Sequence, residues 1–163
     1  FPYVSKNLDD IITVEDEELV VAFLDMVENH KMVVENSGLL TVAALKHLNV
    51  KNKKVAAILS GGNMDVITMS SVVQQGLIMR DRIFTVSVLL PDKPGELSHV
   101  ADVIAKESGN VIKLEHNQFV SINRSAAVEL RITMEAFGTD HKHQIIRALE
   151  KNGYKPKLVR TNI

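Results

Sequence analysis

A chain of 163 residues suits one large domain or two small ones, and 45% hydrophobic with 24% charged residues excludes wholesale disorder. A formal charge of -1 offers no basic excess for a phosphate backbone, and the absence of cysteine removes disulfides, thiolate metal sites and cysteine nucleophiles together. No apolar run approaches the ~18 residues of a membrane span and no signal peptide opens the chain. Neither nucleic acid nor a membrane is therefore an expected partner, and a cytoplasmic location is expected. The first residue is Phe1 instead of Met, so a fragment of a longer protein is expected.

The segment 13–30 (TVEDEELVVAFLDMVENH) reads as a helix. Thr13 is the expected cap with Asp16 three residues later, four acids crowd the positive end, and Leu19, Val20, Phe23, Leu24 and Val27 form the apolar face. A second helix is expected over 39–48 (LLTVAALKHL). The run 55–59 (VAAIL) is short, apolar and uninterrupted, as in a strand buried on both faces. It stops at Ser60-Gly61-Gly62-Asn63, and a third helix is expected over 66–77. This is an α/β pattern, but a truncated one, because a single strand leaves its backbone groups unpaired.

The second half is complete. Residues 84–90 (FTVSVLL) alternate as a half-buried strand, and Asp92-Lys93-Pro94-Gly95-Glu96 turns the chain into a helix with Pro94 near its start. Leu97, Val100, Ala101 and Ile104 share a stripe, and Gly109 is the expected stop. Strand two is expected over 111–119 and strand three over 128–136, the latter with Val128, Leu130, Ile132 and Met134 on one face. Asp140 can cap a last helix carrying Ile145, Ile146 and Leu149; Gly153 ends it, and 154–159 supplies a fourth strand. The order is βαββαβ, a ferredoxin-like α+β sandwich with both helices on one face of an antiparallel sheet.

The stretch 82–115, with its D-x-P-G-x-L turn (Asp92 to Leu97), amphipathic helix and Gly109-Asn110 entry to strand two, resembles the ACT domain, a regulatory module. The likeness runs from about 83 to 159 and departs at Asn117-Gln118 after His116, where relatives carry an acidic or polar residue and then Arg. The first half resembles the end of the catalytic domain of fold-type II pyridoxal-phosphate enzymes, the threonine dehydratase and serine racemase family. Two places carry that likeness: Val34-Glu35-Asn36-Ser37-Gly38 before an Ala/Leu-rich helix, and Ile58-Leu59-Ser60-Gly61-Gly62-Asn63-Met64-Asp65. The order is similar to that of catabolic-type threonine dehydratases. The expected division is 1–79 for the incomplete catalytic part, 80–82 for a linker and 83–163 for the ACT domain.

The resemblance implies that Ser60 faces the cofactor's pyridine nitrogen, that Gly61 and Gly62 let the backbone approach the ring, and that Glu35 lines the pocket. A hydroxyl can bond an unprotonated ring nitrogen, whereas a carboxylate would favour the protonated ring. The family also needs a Schiff-base lysine and a Gly-rich phosphate cradle. Lys6, Lys31, Lys46, Lys51, Lys53 and Lys54 lie in none of the family's lysine contexts, and no phosphate-cradling glycine run exists. No catalytic residue and no bound cofactor are therefore expected in this piece, with pyridoxal phosphate belonging to the full-length enzyme.

The implied function is the regulatory end of a threonine ammonia-lyase, which makes 2-oxobutanoate and ammonia from threonine in amino-acid metabolism. The rivals are a free-standing ACT sensor and a serine dehydratase or serine racemase. For the effector, Gly95 permits close approach, and the amides of Glu96, Leu97 and Ser98 can receive a carboxylate. Ser98 adds a hydroxyl, and Asn110 can supply an amide. By resemblance the ligand is isoleucine or valine, or a nucleotide, with self-association through ACT domains forming an oligomer. His141 and His143 stand at i, i+2, point apart on a helix and read as a solvated helix start, so no metal is expected. Lys51 to Lys54 reads as a solvated loop, and His116 as a partly buried strand residue.

Overall fold

The computed structural model describes residues 1–117 and 128–162. Two compact units are present, Phe1–Gly76 and Leu77–Ile163.

The first unit is helical. It contains α1 (Pro2–Asn7), α2 (Asp16–Asp25), α3 (Asn36–Ala43) and the start of α4 (Val66–Met79); α2 runs on as a π-helical turn, Met26–His30, and α3 as a 3-10 turn, Ala44–His47. The cap of α2 is Glu15, not Thr13: its N–H donates to Glu18 Oε2 at 2.9 Å, one half of a capping box. Val14 and Leu19 then occupy the positions of a hydrophobic staple, and both pack on the core. Phe23 and Leu39 are fully buried at the centre of that core, with Ala22, Met26, Val34 and Ala43 around them. Gly76 is buried here, and the site needs glycine because a Cβ would meet Leu24 Cδ1 at 2.5 Å.

The expected strand over 55–59 does not form. These residues join no sheet, and Ile58 is 78% exposed. The apolar sequence has no neighbouring strand in the first unit to satisfy its N–H and C=O groups, so strand pairing is lost, residues 55–58 are exposed and Leu59 alone packs on the core.

The second unit has the βαββαβ order: β1 (Ile83–Leu90), α5 (Glu96–Lys106), β2 (Asn110–Asn117), β3 (Val128–Glu135), α6 (Thr139–Lys151) and β4 (Lys157–Val159). Its antiparallel sheet runs β2-β3-β1-β4, with Val86 opposite Ile132 on one side and Leu158 on the other. Val86, Val88, Leu130, Ile132 and Met134 bury one sheet face under Val100, Ile104, Ile145 and Leu149 of the two helices. Each of these side chains contributes about 1.5–3 kcal/mol on burial. Of the expected α5 stripe, Val100 and Ile104 are buried but Ala101 and Leu97 are exposed, and Val103 takes the inner place.

The ends of the elements hold three corrections. Gly109 is not the left-handed residue after α5: Ser108 is, with φ 63°, and Gly109 N–H closes a Schellman motif on Ile104 O at 3.0 Å. Glycine is needed at 109 for space, since a Cβ would meet Ile104 Cγ2 at 2.7 Å and Ile145 Cδ1 at 3.0 Å. The cap of α6 is Gly138, not Asp140, and the first turn is tied down instead by Thr139 and Lys142 to Asp81 at 2.9 and 2.7 Å. Pro94 lies outside α5, whose cap is Gly95 with φ 94°. Gly153 does end α6 as expected, with φ 86°. The fourth strand is shorter than expected, and Tyr154 before it is buried with its hydroxyl 2.7 Å from His99 Nδ1. Gln118 and Phe119 of the expected second strand lie outside the described residues.

Candidate functional site

Two segments whose contacting residues stand 17 to 28 apart in sequence meet in the first unit. Glu35 caps α3, accepting Gly38 and Leu39 N–H on its carbonyl at 3.0 and 3.1 Å. Its own N–H donates to Gly61 O at 3.3 Å, and its carboxylate accepts Asn63 N–H at 3.1 Å and the Ser37 hydroxyl at 2.6 Å. Thr41, one turn into α3, donates its hydroxyl to Ile58 O at 2.9 Å. The glycines make this approach possible. A Cβ on Gly61, which has φ 79°, would strike the Glu35 carboxylate, and one on Gly38 would strike the Ser60 carbonyl.

Ser60 is exposed at the end of the extended run, and its hydroxyl makes no hydrogen bond among the described residues. Gly62 differs from its neighbours: its φ is not positive and a Cβ would come no nearer than 3.7 Å to Val33 O. Nothing within the described chain requires glycine there. Asp65 finishes the motif as the cap of α4, accepting Ile67 and Thr68 N–H on Oδ1 at 3.0 and 2.9 Å. The Thr68 hydroxyl and then its amide hold the Asp65 carboxyl below the usual range. This cap was readable as an Asp three residues before Thr at a helix start.

The expected effector cluster is only partly assembled. Gly95, Glu96, Leu97 and Ser98 do form the open start of α5, with nothing within 4 Å of a Cβ on Gly95. Glu96 N–H is directed at Lys93 O at 3.5 Å. Asn110 lies beyond the other end of α5, a helix whose eleven residues span about 15 Å. There it donates to Glu135 Oε2 at 2.7 Å beside Ser108 and Phe137, in a concavity of about 210 Å³. One copy of the chain does not bring Asn110 to the Gly95 turn.

His141 is not a solvated residue: Nδ1 accepts Phe137 N–H at 3.0 Å, Nε2 lies 2.6 Å from Glu107 O, and the ring stacks on Phe137. With both nitrogens engaged it has no lone pair for a metal, and no metal-holding cluster occurs among the described residues. His116 is exposed instead of partly buried, on the edge strand β2. Among the described residues no helix is long and apolar enough to cross a membrane.

No protein-family profile matches the chain. An L-threonine ammonia-lyase of Thermotoga maritima is 32% identical over 160 residues, 98% of this chain and 40% of that protein. An L-threonine ammonia-lyase of Geobacter sulfurreducens is 33% identical over 156 residues, covering 94% of this chain and 39% of its own length. The chain is homologous to part of the threonine ammonia-lyases. The biosynthetic L-threonine dehydratase of Haemophilus influenzae is also 32% identical, over 94% of this chain and 30% of its length. The chain thus spans about two fifths or less of these threonine ammonia-lyases and dehydratases. Glu35, Ser60, Gly61 and Gly62 fall inside a match that covers nearly the whole chain.

Proposed function

We propose that this chain supplies one wall of the pyridoxal-phosphate site and the regulatory unit of a threonine ammonia-lyase. The observation that carries the first part is the joint of Glu35 with Gly61 and Asn63. It fixes Ser60, whose hydroxyl is unspent among the described residues, next to Gly62, whose missing Cβ no contact among those residues explains. Those are the two features that close approach of a flat heteroaromatic ring would use. Ser60 donates to the ring nitrogen, Gly62 lets the ring lie against the backbone, and Glu35 is a brace for that wall. When bound, the cofactor supplies the electron sink for loss of the β-hydroxyl of threonine. The lysine that carries it and the glycines that cradle its phosphate belong to a longer protein. In that protein Ser60→Ala should lower kcat for 2-oxobutanoate release by about tenfold, the worth of one hydrogen bond of ~1.4 kcal/mol, with KM nearly unchanged. An unchanged kcat contradicts the assignment of Ser60.

We infer that the second unit is an ACT-type domain that binds an amino acid. The βαββαβ order and the open, left-handed Gly95 turn support this reading. Asn110 stands about a helix length from that turn, so a site using both needs two copies. The edge strand β2, with Ile112 and Leu114 each 40% exposed, is suited to pairing with a second copy. Gly95→Asp should abolish binding of isoleucine or valine in calorimetry by adding a negative charge where a carboxylate must sit. Ser98→Ala, which leaves the turn intact, should weaken it about fivefold. No binding by the unmutated chain at millimolar ligand contradicts the reading, as does equal binding by Ser98→Ala and Gly95→Asp.

A further inference from the structure

The sheet of the second unit has one face under its helices and one face free of them, and the free face carries an uneven charge. A concavity of about 80 Å³ opens there between β2, β3 and the residues after β4. That is room for two to three waters, or for one tetrahedral group of similar bulk. Its floor is Thr85 and Thr133, 5% and 4% exposed, on directly paired strands. Their hydroxyls lie 2.9 Å apart and bond each other. One such bond consumes one hydroxyl hydrogen, so the second remains to donate out of the floor.

The rim is cationic. Lys113, Arg131 and Arg160 line it against a single carboxylate, Glu115, for a net two positive charges, with the Asn162 amide as a further donor. Glu115 is already engaged with Lys113 at 2.9 Å. Two other acids lie on this face: Glu129 is spent on Ser87 at 2.6 Å and on Arg131 Nε at 3.3 Å, and Glu135 accepts the Asn110 amide at 2.7 Å. The Ser87 hydroxyl and then Arg131 hold the Glu129 carboxyl below the usual range, so it stays a carboxylate. Arg160 makes no ion pair among the described residues.

We propose that this concavity is a binding site for a phosphoryl group. A hydroxyl from below, two guanidinium groups, an ammonium and an amide surround one small volume, from three strands and the tail after β4. A carboxylate presents two oxygens in one plane and would satisfy part of that set; a tetrahedral oxyanion presents oxygens in every direction and satisfies all of it. The bound group would also tie β2 to the tail that follows the three-residue β4, joining opposite edges of the sheet. The site uses none of the residues of the amino-acid site proposed above and does not depend on it.

The test is a titration of the 163-residue chain with sodium phosphate at constant ionic strength, followed by amide chemical shifts. Saturable shifts at Thr85, Lys113, Thr133 and Asn162, with half-saturation below about 10 mM, are expected. Arg160→Gln lies outside the strands and should weaken binding by about tenfold with the sheet spectrum unchanged. Thr85→Val combined with Thr133→Val removes both floor hydroxyls and keeps every charge, and should weaken it to a similar degree. Glycerol 1-phosphate is the second arm: equal affinity assigns the site to free phosphate, tighter binding to a phosphate monoester, and either supports the proposal. Shifts that follow ionic strength without saturating overturn it. So does unaltered affinity in Arg160→Gln.

Discussion

Glu18 does three things with one carboxylate. It completes the capping box of α2, meets Lys46 Nζ at 2.6 Å and lies 2.9 Å from His47 Nε2, so it ties the start of α2 to the turn after α3. Lys46 first, then His47 and the Glu15 amide, bring its pKa from the ordinary 4.5 to about 2. A depressed carboxylate stabilises the fold fully above its unfolded pKa and loses that contribution as pH falls toward the folded value. The first unit should therefore weaken between about pH 4.5 and pH 2. Glu18→Gln should be less stable than wild type at pH 7, with the two denaturant midpoints converging near pH 2. A constant gap across that range contradicts the assignment. None of this was legible in the sequence, where Glu18 is one of four acids at a helix start and its partners stand 28 and 29 residues on.

At the scale of elements, the periodic signals were legible wherever one chain supplies both sides of the contact. The alternation of Val128, Leu130, Ile132 and Met134 became a buried sheet face, and Ile145 and Leu149 became the inner side of α6. The apolar run 55–59 has the composition of a buried strand but no partner strand in the first unit, so composition alone misplaced it. Helix ends were legible in kind and only partly in position: Val66 does start α4 and Gly153 does end α6, but the caps of α2, α5 and α6 shifted. Ser108 takes the left-handed geometry after α5 because Gly109 is wanted one residue later, where the core leaves no room for a Cβ. That division of labour is testable by thermal unfolding of the second unit. Gly109→Ala should cost about 1–3 kcal/mol through overpacking against Ile104 and Ile145. Gly153→Ala, with nothing within 4 Å, should cost only the left-handed penalty of about 1–2 kcal/mol, and Ser108→Gly should stabilise by relieving the same penalty. The ranking is contradicted if Gly109→Ala is neutral while Gly153→Ala is costly.

At the scale of the molecule, the candidate site was legible as two short motifs, and what the sequence could not show was why they belong together. Glu35 answers that, since its amide and carboxylate both reach the Gly61–Asn63 turn. The effector residues were legible as a turn, but Asn110 was grouped with them on chemistry alone, and α5 holds the two apart. The proposed protein joins two roles: a wall that orients a ring through Ser60, and a unit whose ligand sets the rate. The most direct measurement is the initial rate of 2-oxobutanoate release from threonine by the longer protein that carries this chain, taken across a titration of isoleucine and valine. The account predicts that threonine is turned over and that one of these amino acids changes the rate along a sigmoidal curve, as expected when the effector site needs two copies. Absence of 2-oxobutanoate release under any of these conditions would contradict it.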